Sequence, residues 1–360
     1  MLAASLYELR GCEVQAALVY TNKQPGGSFR GYGNPQITFA MESQVDELAE
    51  SLGVDPMDLR IKNANRSGTT TLTGWKLDSA LLVECLERAR AEILWDEKRS
   101  LSGSGRGVGV AAAIHISGAN AFDGSEYSGS AIDILPNGDA RIHFAGADAG
   151  TGQSTILRQI AAYELDLPID RVHVSMMESE NSPPDLGAWS SRGTMWSGHS
   201  ISNTSRLARE GLCRVAAEKF GCRPEDVSLE EGQAVHENDA VGIGDLAVAA
   251  GDPQDGILHF EGGYLTEVEK MDRSAGTGHF SPAYSFVAQA VEVEVDLETG
   301  RVTVDDVVSV HDSGTAINPT GANGQVAGAV AMGLGAALGE ELIYEKGQLV
   351  NDNYLTYHVP

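Results

Sequence analysis

Gly26–Gln36 reads GGSFRGYGNPQ, with Arg30 set between the aromatics Phe29 and Tyr32 and flanked by Gly26, Gly27, Gly31 and Gly33. Glycine tolerates positive φ and, having no Cβ, lets the backbone approach a ligand closely. A guanidinium is a rigid fork of donors suited to phosphate or oxo groups. Tyr32 adds a flat face on which a planar substrate can lie. Taken alone, the stretch reads more readily as a glycine turn carrying a solvated arginine. Two stretches of the same character further along shift that balance.

The first of these is ADAGTGQSTILRQIAAYELDLP, residues 147–168. A strand ending at Ala145 runs into a turn at Gly150 and Gly152, and a helix begins near Gln153. The start of a helix exposes unpaired N–H groups and about half a positive charge, which suits an anion. The second is NSPPDLGAWSSRGT, residues 181–194, leading into a long helix over 192–220 with Ser190 and Ser191 as caps or ligand donors. Three such turns suggest one large polyanionic ligand.

Around them the chain alternates strands and helices. Residues 14–22 (VQAALVYTN) read as a strand feeding the first glycine loop. Apolar residues at helical spacing (Ile37, Phe39, Ala40, Val45, Leu48, Ala49, Leu52) predict a helix from Gln36 to Leu52, closed by Gly53. Asp55–Ala64 predicts a second helix with Pro56 at its first position. After a polar loop over 65–74, Asp78 is expected to cap a helix to about Trp95, and SLSGSG over 100–105 is the linker candidate. Strands follow at 105–116 and 171–178, with a hairpin over 129–146 turning at Pro136-Asn137-Gly138. Residues 221–280 carry weak signals and read as loops and short helices. A long hairpin at 286–314 turns at LETG, and a final helix shows a small-residue face with Gly321, Gly324, Gly328 and Gly335. The class is α+β, mixed sheets with packed helices. GSGRGVG is not a dinucleotide fingerprint, because Val108 replaces the third glycine and a strand follows.

Composition excludes several functions. Net charge of −26 over 360 residues argues against nucleic acid and anionic membranes, and is also what a salt-adapted host would favour. No run of about 18 apolar residues predicts a membrane span. The start, with Glu8 and Glu13, is not a secretory signal, so the chain is expected to be cytoplasmic. Cys12, Cys85, Cys213 and Cys222 lie too far apart for an iron–sulfur site and read as reduced thiols. There is no GxxxxGK(S/T) phosphate loop. The nine histidines lack metal spacing, each reading as structural or solvated, and Glu340-Glu341 reads as surface.

At this point the motifs resemble a family. SFRGYGNPQ, with the acidic helix and DPMDLRIKNA after it, is similar to the FRGFGxPQ…NPxELRxxN signature of the molybdenum hydroxylase superfamily. That superfamily includes xanthine dehydrogenase, aldehyde oxidase, nicotinate dehydrogenase and 4-hydroxybenzoyl-CoA reductase. GTGQST resembles its GQGxxT turn. DLGAWSSRGTMWSG resembles its serine-rich loop, in the form of the 4-hydroxybenzoyl-CoA reductase branch, and VEVDLETGRVTVDDVVSVHDSGTAINP…GQVAGAVAMGLG its closing segment. The resemblance runs over nearly the whole chain. It implies a molybdenum–pyranopterin cofactor (molybdopterin or its cytosine dinucleotide), held through dithiolene sulfurs with no side-chain metal ligand. It implies that Phe29 and Arg30 sit beside the cofactor, Arg30 near the metal's oxo ligands, and that Tyr32 meets substrate. Gly150, Thr151, Gly152, Thr155, Ser190, Ser191 and Gln325 would contact the cofactor.

The resemblance also implies what lies elsewhere. The family's GGGFGGK-type loop and its catalytic glutamate in a GxGE motif are not found in this chain, so no general base is assigned here. Residues 1–100 would be the end of one molybdopterin-binding half-domain and 101–360 the second, stopping before the GxGE segment. Expected partners are a second molybdopterin-binding polypeptide, a [2Fe–2S] subunit and an FAD subunit. The implied chemistry is hydroxylation of an aromatic, N-heterocyclic or aldehyde carbon, or reductive dehydroxylation of 4-hydroxybenzoyl-CoA. The alternative is a catalytically incomplete paralogue or fragment that scaffolds an assembly.

Overall fold

The computed structural model describes residues 4–15, 17–103, 105–178 and 180–360. Met1–Ala3 of the chain start, Ala16 of the expected strand at 14–22 and Ser104 of the linker candidate lie outside the described residues. In chain order come α1 (Asn34–Leu52), α2 (Pro56–Asn63), β1 (Thr69–Thr70), β2 (Lys76–Leu77), α3 (Leu82–Ile93), α4 (Trp95–Ser100) and β3 (Arg106–Ile116). Next are β4 (Tyr127–Ile134), β5 (Ala140–Phe144), α5 (Gln153–Leu165), β6 (Val172–Met176), α6 (Gly198–Phe220), β7 (Ser228–Glu230), β8 (Gln233–His236) and β9 (Asp239–Gly242). The chain continues through α7 (Ile243–Ala250), β10 (Leu258–Leu265), β11 (Tyr284–Val295), β12 (Val302–Asp312), α8 (Pro319–Leu338), β13 (Tyr344–Glu345) and β14 (Gln348–Leu349). The expected α+β class is what the fold shows. The chain forms two compact units: Met1–His115 with Ser274–Gly278 and Ala283–Pro360, and Ile116–Arg273 with His279–Pro282.

The first unit is built on a sheet ordered β12-β11-β3. Residues Leu82, Cys85, Leu86, Ala89 and Ile93 recur at helical spacing in α3, and all are buried. The hairpin over 286–314 is present as β11 and β12, paired antiparallel. Asp55 caps α2 as expected, accepting from Met57 N at 2.8 Å and Asp58 N at 3.1 Å. Gly53 ends α1 with φ of 63°.

Three expectations in this unit are corrected. The described residues of 14–22 form no strand; Leu18 and Tyr20 are fully exposed, and no strand among the described residues offers the ladder their backbone would need. Asp78 does not cap a helix: α3 starts four residues later, where Leu81 N donates to Asp312 Oδ2 at 3.1 Å. That helix then breaks at Leu94, whose φ is 59°, so Trp95 opens α4. In α1 the apolar positions Ile37, Phe39, Leu48 and Leu52 are exposed, whereas Glu42 is buried.

That burial has a partner. Arg60 on α2 is fully buried and bonds Glu42 Oε2 from its Nε at 2.7 Å, and Asp46 from Nη1 at 2.7 Å. Glu42 also accepts from Tyr7 Oη and from Ala112 N, each at 2.7 Å. A buried charge is tolerated only when paired and hydrogen-bonded in this way.

The second unit has a sheet ordered β10-β4-β5-β6, antiparallel except for β5 with β6. The parallel step needs a crossover, and α5 supplies it. Leu157, Ala161 and Leu165 of α5 and Ile201, Ala208 and Leu212 of α6 pack with Ile132, Ile142 and Phe144 into one core. The hairpin turning at Pro136-Asn137-Gly138 is present as β4 and β5. Residues 221–280 are not mainly loops and short helices: β7, β8 and β9 form their own antiparallel sheet and β10 is a full edge strand. Gly262 and Gly263 obscure β10 in the sequence. A Cβ at either would lie 2.7 Å from Thr204 Oγ1 or 2.4 Å from Tyr127 Oη, so close packing, not a turn, requires them.

Candidate functional site

In the first unit, the Arg30 turn leads directly into α1. Tyr32 has φ of 56°, and its N–H bonds Phe29 O at 2.6 Å, which folds the aromatic–arginine run into a tight loop. Gly33 precedes the helix with φ of 85° and no side-chain cap, and the first turn of α1 carries no acidic residue. This start offers few free donors, since Asn34 N–H bonds Gly31 O at 3.1 Å and Pro35 has no N–H. Phe29 and Tyr32 are exposed. Arg30, also exposed, donates from Nη2 to Gln325 Oε1 at 2.9 Å and Gln325 O at 3.1 Å, across 295 residues of sequence. Gly328, one turn further along α8, faces the same guanidinium: a Cβ there would lie 3.8 Å from Arg30 Nη1. The fold thus joins the first glycine turn to the last helix. On the small-residue face of α8, Gly324 and Gly328 are exposed, Gly321 is half-buried and Gly335 is buried.

In the second unit, the glycine turn and the serine loop lie together. A Cβ on Gly146 would sit 3.2 Å from Gly187 Cα. One on Gly193 would sit 3.4 Å from both Cδ and Nε2 of Gln153 and 3.5 Å from its Oε1. That near-equality lays the Gln153 amide face-on to Gly193. Gln153 is 5 % exposed, and neither amide atom has a partner among the described residues. Gly150 and Gly152 have φ of 86° and 77°, and a Cβ on either would meet nothing within 4 Å. The space above the turn is open, and Thr151 at its apex is exposed. Thr155 sits half-buried in the first turn of α5.

Two expectations about these loops are corrected. The α5 start is not a ready anion site, because Asp148 already fills it. Its Oδ1 accepts from Gly150 N at 3.1 Å and Gly152 N at 3.0 Å, and its Oδ2 from Ser154 N at 3.0 Å and Ser154 Oγ at 2.9 Å. Partial burial pushes this carboxyl up, and the bonds from Ser154 and the turn outweigh it, so it stays below the usual carboxylate value. Ser190 and Ser191 are not helix caps. Both have positive φ, 54° and 57°, and α6 begins only at Gly198 after a wide turn over Gly193–Ser197. Such backbone costs about 1–3 kcal/mol per residue and persists only where the surroundings impose it.

Arg192 and Trp196 impose it here, and sequence reasoning named neither. Arg192 is fully buried, donating from Nη2 to Tyr127 O at 2.5 Å and from Nη1 to Ser125 O at 3.4 Å. Its guanidinium lies 4.7 Å from the Trp196 ring centre, and Trp196 Nε1 bonds Ser117 O at 3.1 Å. Gly118 N bonds Ser190 O at 2.8 Å. At Gly118, with φ of 85°, a Cβ would fall 1.8 Å from Trp196 Nε1, so only glycine fits.

A third cluster in this unit, at Asp133, was also missed. Strand register sets His259 opposite Asp133, whose Oδ1 meets His259 Nδ1 and whose Oδ2 meets the buried His143 Nε2, each at 2.7 Å. Burial raises the Asp133 carboxyl and the two imidazole bonds more than offset it, leaving it below the usual value. Among the described residues no group of three or more His, Cys, Asp or Glu is placed to hold a metal ion. The two imidazole bonds tie Asp133 of β4 to β5 and β10. A carboxyl lowered by folding stabilises above its unfolded value, near about 3.9, and that contribution is lost as pH falls through its lowered native value. Asp133→Asn should therefore cost about 1–2 kcal/mol at pH 7 in urea unfolding. The gap to wild type should close only in strong acid.

Family models described as Molybdopterin cofactor-binding domain match residues 1–64 and 84–360. The xanthine dehydrogenase molybdenum-binding subunit of Escherichia coli O157:H7 is 32% identical over 372 aligned positions, covering 99% of this chain and 48% of that protein. The nicotine 6-hydroxylase large subunit of Paenarthrobacter nicotinovorans is 30% identical, covering 99% of this chain and 45% of that one. Among solved structures, reconstituted CO dehydrogenase from Oligotropha carboxidovorans superposes with a TM-score of 0.77 over 91% of this chain and 43% of its own, at 22% identity. The chain spans about half the length of the relatives it matches. No helix among the described residues is long and apolar enough to cross a membrane.

Proposed function

This chain belongs to the molybdenum hydroxylase superfamily, and from that membership we propose that it binds the molybdenum–pyranopterin cofactor of an enzyme that hydroxylates an N-heterocyclic, aromatic or aldehyde substrate. The observation that carries the reading is the Arg30–Gln325 pairing beside the uncapped start of α1. The open space above Gly150 and Gly152 and the unpartnered amide of Gln153 suit the second unit to a ligand of this kind. The names of the relatives favour hydroxylation over reductive dehydroxylation.

When bound, the cofactor supplies a two-electron redox centre at which water-derived oxygen is added to an electron-poor carbon. This chain's residues hold and orient. Arg30, kept in place by Gln325, presents its remaining donors to anionic oxygen. Phe29 and Tyr32 offer exposed faces against which a planar substrate stacks. Gly150, Thr151, Gly152, Thr155, Ser190 and Ser191 shape the wall that receives the pterin. The catalytic glutamate, a second molybdopterin-binding polypeptide, the [2Fe–2S] subunit and the FAD subunit are supplied from outside these 360 residues.

The test is elemental analysis of the tagged protein purified from its native host. About one molybdenum per chain, arriving with iron and flavin on co-purifying chains, is expected. A protein that assembles with those partners yet carries neither metal nor pterin would overturn cofactor binding and leave a scaffold role.

A further inference from the structure

We propose that Asp185 is a positioning residue: paired with Arg192 beneath the serine loop, it fixes the direction in which Ser190 and Ser191 meet their ligand. The inference rests on the proposed cofactor for the identity of that ligand.

Asp185 and Arg192 stand at the two ends of residues 186–191, and both side chains are fully buried. Asp185 Oδ2 lies 3.5 Å from Arg192 Nη2, and Asp185 Oδ1 accepts from Gly187 N at 2.5 Å. At this base the packing is close. A Cβ on Gly129 of β4 would lie 2.7 Å from Pro183 Cβ, and Gly129 N bonds Pro184 O at 2.9 Å. The tip differs. Ser191 is exposed and Ser190 half-buried, both hold a left-handed backbone, and neither hydroxyl is hydrogen-bonded among the described residues. No contact at the tip accounts for two adjacent strained residues, so the base imposes them.

Stability does not account for this base. Burial raises the Asp185 carboxyl and lowers the Arg192 guanidinium, outweighing their attraction at both ends. A buried ion pair adds little net stability over apolar side chains of the same volume. What it adds here is geometry. The carboxylate holds the near end of the loop through Gly187 N. The guanidinium holds the far end, bonded to Tyr127 O and lying against the Trp196 ring.

The experiment compares wild type, Asp185→Asn and the double variant Asp185→Asn/Arg192→Met. Asparagine keeps an oxygen for Gly187 N–H, and methionine fills the arginine stem without its charge. Pterin per chain is measured on the full chain with its co-purifying partners. Thermal unfolding and acrylamide quenching of tryptophan are followed on the full chain. Trp75, Trp95 and Trp196 are buried, so quenching reports the half-buried Trp189, next to Ser190. Asp185→Asn strands the guanidinium and should lower the unfolding midpoint by several degrees. Its pterin content should fall about tenfold, as for the loss of one well-placed hydrogen bond to the ligand. The double variant should regain most of the midpoint yet hold no more pterin, and Trp189 should be more open to quencher in both. Pterin that returns together with the midpoint would reveal a merely structural pair and overturn the inference. Wild-type pterin and quenching in both variants would overturn it too. Should Asp185→Asn fail to fold, the double variant carries the comparison. Wild type without pterin would refute the cofactor reading instead. Raised quenching in the variants would then still uphold the role of Asp185, and unchanged quenching would overturn it.

Discussion

Replacing Arg30 by alanine is expected to strip the assembled enzyme of its molybdenum while leaving the chain folded. The two halves of that statement have different causes. The Arg30 side chain is exposed, and among the described residues its hydrogen bonds go to Gln325. Surface bonds of this kind change stability by about 0.5 kcal/mol or less. Against an anionic oxygen the same guanidinium makes charge-assisted bonds worth about 1.5–3 kcal/mol, and roughly 1.4 kcal/mol is a factor of ten in retention. Metal per chain in Arg30→Ala should thus fall by ten- to a hundredfold, with an unfolding midpoint within about a degree of wild type. Arg30→Lys separates charge from shape. Lysine keeps the charge but not the planar fork, so it should retain metal only partly. Full metal content and turnover in Arg30→Ala would remove Arg30 from the site.

How much of this was legible beforehand depends on the range of the interaction. The Asp55 cap, the Gly53 ending and the hairpins announce themselves because their signals lie within a few residues of one another. The four motifs carried the family, and with it the expectation that Arg30 and Gln325 belong to one site. Asp148 was passed over although it lies inside a quoted motif, because a carboxylate reaching forward to the N–H groups of 150, 152 and 154 has no period in the sequence. The strand at 258–265 was hidden by glycines that close packing against α6 and Tyr127 demands. At Ser190 and Ser191, residue type suggested caps, while Arg192, Trp196 and Gly118 force a left-handed backbone instead. Exposed Leu18 and Tyr20 show the converse error, an apolar run read as a strand with which no strand among the described residues pairs.

The largest effect on stability should come from Arg60→Met. Methionine nearly fills the volume of the arginine stem, so the change removes charge and bonds rather than opening a cavity. It strands Glu42, a carboxylate 4 % exposed that bonds Arg60 and also accepts from Tyr7 Oη and Ala112 N. Burial, then the Glu42 charge, pushes the Tyr7 hydroxyl well above its ordinary value, so it stays a donor and cannot replace the lost cation. Breaking one side of such a pair costs about 3–5 kcal/mol, because the remaining charge is left buried. Urea unfolding should show that loss, and Glu42→Gln in the same chain should recover a large part of it. Its amide oxygen can still accept from Ala112 N–H without a buried charge. Simple additivity of the two changes would refute the pair as a coupled unit. The consequence reaches the candidate site through α1, since Glu42 ties that helix to β3 and Asn34 ties its first turn to Ile114 O at 2.8 Å. Metal loss in Arg60→Met should therefore track unfolding as temperature rises, whereas in Arg30→Ala the ten- to hundredfold loss should already be present while the chain is still fully folded.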